Sequence, residues 1–535
     1  MLRSKLIIFC LFVSAGVHGQ VNRYFVSFKD KVGTPYTITN PSQFLNEKSI
    51  ARRQKQNIII TEEDLPVNPD YVTQVKNTGA NTYFASKWFN GVLIETDEAT
   101  LTSVNALPFV IESVLVAPGS KLMGGRVSKI KKRKNSSADQ PANQFQLQQI
   151  GIDEMQAEGY RGEGVSIAVF DSGFTGVNVS SPFADLFSEN RVKQTFNFVK
   201  NSTAVFSGDD HGTEVLSVMA AYSAGTYTGG AYKANYFLYV TEDDASEYRV
   251  EEYNWTFAAE RADSAGVDVI NSSLGYNEFD ESSMDYKIAD LDGHTALITK
   301  ASRKAIEKGM MVVCSAGNEG SNSWKFVTPP ADAIGILAIG SINSVGNLSS
   351  FSSKGPTADG RFKPEVVALG SGTSIIKPSG SLGTASGTSL ASPLVASLVA
   401  GVWQAFPTLT ANELHDAMVM SATLASAPNN QMGYGLPHFR AIVNYLESLA
   451  ETEVISIYPN PVTGDRFIIK LKQPLDSPVQ ILIFDRQGSR VAESTLKIDW
   501  ANNPFEYDIS QFKAGIYFVR VTSGNNTATA RIVKL

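Results

Sequence analysis

The sequence predicts an α/β protein: a parallel sheet with helices on both faces, preceded by a small α+β unit and followed by a small antiparallel β-sandwich. Three observations carry this. From about Phe145 to Leu446, apolar runs alternate with helical stretches, the mark of a parallel sheet covered on both sides. Before that segment, residues 21 to about 117 mix strand-like and helix-like runs. After it, the last 85 or so residues hold short β-prone runs between turn signals.

The elements follow in chain order. Arg3 and Lys5 precede the apolar run Leu6–Val13, and Val17-His18-Gly19 supplies small residues before Gln20. That run is too short to span a bilayer, so 1–19 reads as a secretory signal peptide. In residues 20–118 the strand candidates are Tyr24–Phe28, Val92–Glu95 and Val110–Val116. Residues 119–144 read as an exposed linker: Ser113 to Ala138 holds no Asp or Glu, and Lys131-Lys132-Arg133-Lys134 is unbroken. The central unit, 145–450, has strand candidates Val165–Phe170, Tyr236–Val240, Val267–Ile270, Met310–Cys314 and Ile334–Ile339. Its helix candidates include Glu247–Ala262, with Val250, Tyr253 and Phe257 at helical spacing, and Ala296–Lys308. In 451–535, Phe467–Leu471, Val479–Phe484 and Ile516–Val521 are separated by turns such as Pro459-Asn460-Pro461 and Arg486-Gln487-Gly488.

Composition excludes several classes. Hydrophobic residues are 43% and charged residues 19% of 535, enough for large cores and unlike a disordered chain. The net charge is −7, so the basic face that nucleic acid requires is lacking, and the Lys131–Lys134 run alone does not supply one. No long apolar run follows the leader, so no transmembrane segment is expected. With Cys10 in the leader, only Cys314 remains, without a disulfide partner and inside an apolar run.

Histidine narrows the chemistry. Of five, His18 falls in the leader, and His294, His415 and His438 have ordinary helical or terminal contexts. His211 alone sits in a Gly-rich, acid-flanked turn opening a helix, Gly208-Asp209-Asp210-His211-Gly212-Thr213-Glu214. A general base near neutral pH is most often His. No second His follows at metal-binding spacing, so no metal site is expected, and no Gly-x-Ser-x-Gly elbow occurs. Gly387-Thr388-Ser389-Leu390-Ala391-Ser392-Pro393 opens a helix apolar on most sides, with Pro393 expected in its first turn. Ser389 then meets unpaired N–H groups and the positive helix end. Asp171 ends the apolar strand Ile167–Phe170, where a carboxylate faces the crevice of a parallel sheet and can hold an imidazole in one tautomer.

These residues resemble the motifs of the subtilisin-like serine peptidases, the subtilases. Asp171-Ser172-Gly173, His211-Gly212-Thr213 and Gly387 to Pro393 correspond to the family's three catalytic motifs. Val313-Cys314-Ser315-Ala316-Gly317-Asn318 resembles the segment with the oxyanion-hole asparagine, and Asn271-Ser272-Ser273-Leu274-Gly275 the strand that pairs with substrate backbone. The resemblance implies a subtilisin-like sheet and a secreted serine endopeptidase acting through an acyl-enzyme. Its catalytic residues would be Asp171, His211, Ser389 and Asn318, and its substrate-binding residues Ser273, Leu274, Gly275, Ser315, Ala316 and Gly317. Glu214 stands where the family often has a second His, Leu390 replaces a common Met, Asp210 a Gly, and Ala368-Leu369-Gly370 lacks a common Pro. None of these changes removes a catalytic group.

The resemblance extends outward. Residues 20–118 resemble inhibitory propeptides, which implies an inactive precursor and the chain's own propeptide as inhibitor; a permanent accessory domain is the alternative. A cut between Pro118 and Gln148 would release it. No cofactor is required; calcium is common in the family, and no segment here demands it. Tyr458-Pro459-Asn460-Pro461, Lys513 to Val519 and the terminal Ala530 to Leu535 resemble a type IX secretion sorting domain. That implies export through the periplasm to the medium or outer surface of a Gram-negative bacterium, with the type IX machinery as partner. A carbohydrate-binding or structural sandwich is the alternative. For the whole chain, a non-catalytic surface binding protein on this scaffold and an ester hydrolase using the same triad stay as rival readings.

Overall fold

A seven-stranded sheet stands at the centre of the computed structural model, as the alternation of the sequence predicted. The structure describes residues 20–119, 143–452, 455–471, 478–485, 489–497, 503–523 and 526–535. The leader 1–19 and most of the basic linker lie outside the described residues. The chain divides into two compact units, Met1–Ile442 and Val443–Leu535.

Across the sheet the order is Val366–Leu369, Leu337–Ile342, Met311–Ser315, Val269–Ser272, Ser166–Asp171, Asn235–Val240 and Val192–Asn197. Every pairing is parallel. The first five strands in this order are buried at every residue, which is why their sequences read as apolar runs and not as alternations. The helix Thr388–Ala405 is buried from Thr388 to Trp403 and packs on this sheet.

The differences from expectation have local causes. The strand expected from Val267 begins at Val269, because the Val267 N–H closes the preceding helix onto Ala262 O. The strand expected from Ile334 begins at Leu337, after Gly335 turns the chain at φ +80°. The helix expected over Glu247–Ala262 runs Val250–Ser264, since the Glu251 carboxylate holds the Asp243 and Tyr248 N–H groups in a turn before it. His294 lies in a loop and not in a helix; its N–H donates to Asp292.

The N-terminal region is a four-stranded antiparallel sheet in the order Asn81–Ser86, Gly91–Thr96, Asn22–Phe28, Val110–Ala117. Its two faces bury different partners, as period-two alternation dictates. Tyr24, Val26, Val92 and Ile94 join a local core with Val75 and Val104 of its helices Pro69–Asn77 and Glu98–Asn105. Phe25 and Leu93 belong to the core of the central sheet, and the Phe25 ring stacks on Tyr253 at 4.4 Å. The C-terminal unit is antiparallel, with one sheet of three strands and one of four, around a core that includes Phe467, Ile481, Val519 and Ile532.

Candidate active site

Asp171 ends its strand fully buried. Its Oδ1 accepts the Ser172 N–H at 2.8 Å and the Ser172 hydroxyl at 3.2 Å. The same oxygen lies 2.8 Å from Nδ1 of His211, the first residue of the helix His211–Ala220. With Nδ1–H donating to the carboxylate, Nε2 carries the free lone pair. Gly212 allows this approach: a Cβ there would lie 2.3 Å from Gly173 O and 2.9 Å from the Asp171 Cβ.

Ser389 is the second residue of the helix Thr388–Ala405, where the backbone N–H groups have no partner one turn back within the helix and the dipole is positive. Pro393 lies deeper than the expected first turn, inside the helix. Lacking an N–H, it cannot bond the carbonyl four residues back, which is that of Ser389. The Ser273 hydroxyl takes that carbonyl instead, at 2.8 Å. Asn271 supports the arrangement, its Nδ2 donating to Ser273 Oγ at 3.2 Å and its Oδ1 accepting Ser392 Oγ at 2.9 Å. The helix start is thus tied to the end of the Val269–Ser272 strand.

Asn318 follows the Met311–Ser315 strand and is exposed. Its Oδ1 accepts the Thr388 N–H at 2.9 Å and the Thr388 hydroxyl at 3.0 Å, which fixes the amide and leaves Nδ2 as donor. Gly387 lies between the two groups: a Cβ built there would meet Ser389 Oγ at 2.7 Å and Asn318 Nδ2 at 3.7 Å. The two candidate substrate segments are neighbours, since Ser272 pairs with Cys314 in the sheet. The Ser315 hydroxyl donates to Leu274 O at 3.4 Å. Thr328 stands between the segments, its Oγ1 at 2.1 Å from a Cβ built on Gly275 and 2.9 Å from one on Gly317.

Residues 162–435, just over half of the chain, match the Subtilase family. The chain belongs to the subtilase family. Residues 23–140 match the Peptidase S8 propeptide domain of Bacteroidota, and residues 456–535 a Secretion system C-terminal sorting domain. Subtilisin of Bacillus pumilus is 32% identical over 284 residues, covering 52% of this chain and 91% of its own. Subtilisin E of Bacillus subtilis (strain 168) is likewise 32% identical over 284 residues, covering 66% of its own length. Among solved structures, the MycP3 protease from the type VII (ESX-3) secretion system aligns with TM-score 0.47 and 20% identity over 59% of this chain and 92% of that one. The protein is a subtilisin-like serine peptidase with a propeptide domain, and its sorting domain places it in the medium or at the outer surface.

Two features of this subtilase carry no signal in its sequence. One is the Thr328 side chain, which bears no motif that separates it from other small polar residues; Ser273 is legible as a residue of a substrate segment, but the bond of its hydroxyl to the Ser389 carbonyl is not. The other is Glu242, two residues past the end of the Asn235–Val240 strand. Its carboxylate accepts the Tyr276 hydroxyl at 2.6 Å, and Thr241 beside it donates its N–H to Asp171 O at 3.1 Å. Burial, with the charges of Asp171 and Glu252, pushes the Glu242 carboxyl up to about 7 against the Tyr276 and Thr241 hydroxyls. Among the described residues no group of three or more His, Cys, Asp or Glu could hold a metal ion. Cys314 is buried, and burial pushes its thiol up to about 12, so it is not poised as a nucleophile.

The electrostatics of His211 set a testable pH dependence. Burial disfavours its charge, but the Asp171 charge and hydrogen bond, with Asp209 and Glu214 nearby, raise it from 6.5 to about 9. A raised base pKa gives this pair a stabilising effect that is complete below pH 6.5 and fades as pH rises through about 9. Catalysis runs the other way, because only neutral imidazole can take a proton. The acid limb of kcat/KM for an uncharged peptide is expected above pH 6.5, and Asp209→Asn should move it downward. A wild-type limb at or below pH 6.5 would contradict this reading.

Proposed function

We propose that this subtilase is an endopeptidase made as an inactive precursor, cleaving proteins through Asp171, His211 and Ser389 by way of an acyl-enzyme. The observation that carries the reading is the 2.8 Å contact of His211 Nδ1 with the buried Asp171, at the strand end and helix N-terminus where the family's motifs fall. Ser389 Oγ attacks the scissile carbonyl while His211 Nε2 takes its proton. The tetrahedral oxyanion is held by Asn318 Nδ2 and the Ser389 N–H. The C–N bond then breaks as His211 returns the proton to the leaving amine, and water repeats the sequence to release the acid. Ser273 to Gly275 and Ser315 to Gly317 flank the substrate backbone. No cofactor enters these steps. The propeptide region acts as the inhibitor until the chain is cut between it and the peptidase unit, and the sorting domain engages the type IX machinery.

Labelling with a fluorophosphonate tests the nucleophile. One adduct on Ser389, lost in His211→Ala, is the expected result; an unlabelled processed protein would favour the binding-protein reading. Asn318→Ala should label more slowly and keep weak peptidase activity. The expected loss in kcat is about 10²–10³, the magnitude known for the oxyanion-hole asparagine of subtilisin itself. A fall as deep as that for Ser389→Ala would mean that Asn318 does more than donate one hydrogen bond.

A further inference from the structure

Away from the crevice, two helices of the peptidase unit, Val250–Ser264 and Leu297–Glu307, end side by side beneath the propeptide helix Glu47–Lys55. Each ends at a left-handed glycine, Gly266 at φ +73° and Gly309 at φ +84°. A helix closed in this way still leaves outward carbonyls to satisfy. The propeptide side takes them. Asn46 donates its N–H to Ser264 O at 2.9 Å and its Nδ2 to Ala265 O at 2.7 Å. Arg52 bridges both ends, through Nη1 to Val267 O and through Nε to Lys308 O at 3.1 Å. Gln56 reaches Gly309 O at 2.8 Å.

Between the helix ends lies Asp263, fully buried. Its Oδ1 accepts from Arg52 at 2.6 Å and Arg53 at 2.9 Å, and its Oδ2 from Arg53 at 3.0 Å and Lys87 at 2.9 Å. All three cations come from the propeptide region. The opposite polarity is matched nearby: Lys304 and Lys308 of the peptidase unit pair with Glu63 at 2.6 and 2.9 Å. Burial opposes the charge on Asp263, yet Lys87, Arg53 and Arg52 hold its carboxyl well below the usual carboxylate range.

We propose that these paired helix ends, centred on Asp263, form a docking surface for a helix presenting two adjacent arginines. This surface, and not the crevice, selects which propeptide the enzyme retains after the cut. The proposal rests on the reading above that the propeptide is severed. A crevice that grips substrate backbone tolerates many sequences. A buried carboxylate does not, because a segment without matching cations leaves it desolvated and unpaired. Arginine is specified over lysine, since one Arg52 side chain serves two carbonyls and Asp263 together, which an ammonium group does not reproduce.

The test uses the full chain, tagged ahead of Asn22 and left to mature, with the cut propeptide then captured by its tag at rising salt. Wild type should retain the peptidase unit into high salt, because buried pairs are poorly screened. Arg52→Lys and Arg53→Lys yield a mature enzyme identical to wild type, so a change in retention reports the contact alone. Each should weaken the complex at least about tenfold, the scale of a lost charged hydrogen bond. In the Asp263→Asn background the same changes should cost much less, a coupling that a merely structural role would not produce. Equal retention by wild type and both lysine variants, or full additivity with Asp263→Asn, overturns the proposal. A chain that is never cut fails the functional reading instead, and a gel of the starting material distinguishes the two. If a lysine variant yields no soluble chain, Lys87→Met, which removes the third cation, is read by the same criteria.

Discussion

Ser389→Ala is expected to fold, to remain an uncut precursor, and to hydrolyse no peptide. The loss in kcat should be on the order of 10⁶, the scale known for subtilisin's own nucleophile and carried over from it. The structure says why folding should survive. The contact that anchors this helix start to the sheet runs from the Ser273 hydroxyl to the Ser389 carbonyl, a backbone atom that alanine keeps. Alanine is also the best helix former, so the turn is not weakened. The neighbouring Asp171–His211 contact uses neither Ser389 atom. Two measurements on the purified variant decide it: the mass of the chain, which reports the missing cut, and hydrolysis of a peptide library. Substantial turnover by Ser389→Ala would remove Ser389 from the mechanism. A processed but inactive variant would show that another protease performs the cut.

What the sequence discloses follows a physical division. Asp171, His211, Ser389 and Asn318 are legible because each sits at the end of an element whose local pattern is strong: a buried apolar strand, a Gly-rich turn, an apolar helix start. Elements with weak local signals stay hidden. The strand Val192–Asn197 is a half-exposed sheet edge reading Val-Lys-Gln-Thr-Phe-Asn, and Val366–Leu369 is four residues long. Sequence puts Pro393 in the first turn because it does not count helix residues to the unit. The actual depth of Pro393 frees the Ser389 carbonyl and explains Ser273. Asp263 is beyond reach for a different reason: its meaning lies in partners some 210 residues away, and nothing local distinguishes it from a surface aspartate.

Removing Ile455–Leu535 is expected to spare the peptidase and abolish export. The reason is separability. The core of the C-terminal unit draws on residues from Ile455 to Ile532, and the core around the central sheet on residues from Phe25 to Ala338, with none in common. A unit with its own core can fold alone. Asp171, His211, Asn318 and Ser389 all lie before the division at Ile442, so kcat/KM and the melting temperature of the truncated enzyme should match those of the full chain. Its destination should not. Residues 456–535 match the sorting domain, and with them gone the protein should accumulate in the periplasm. Fused to a reporter bearing a signal peptide, the same segment should carry that reporter out of a host with the type IX machinery. Fractionation of both proteins gives the answer. A truncated enzyme reaching the medium as fully as the intact chain would show that the segment is not the address, and a drop in melting temperature would show that it supports the peptidase fold instead.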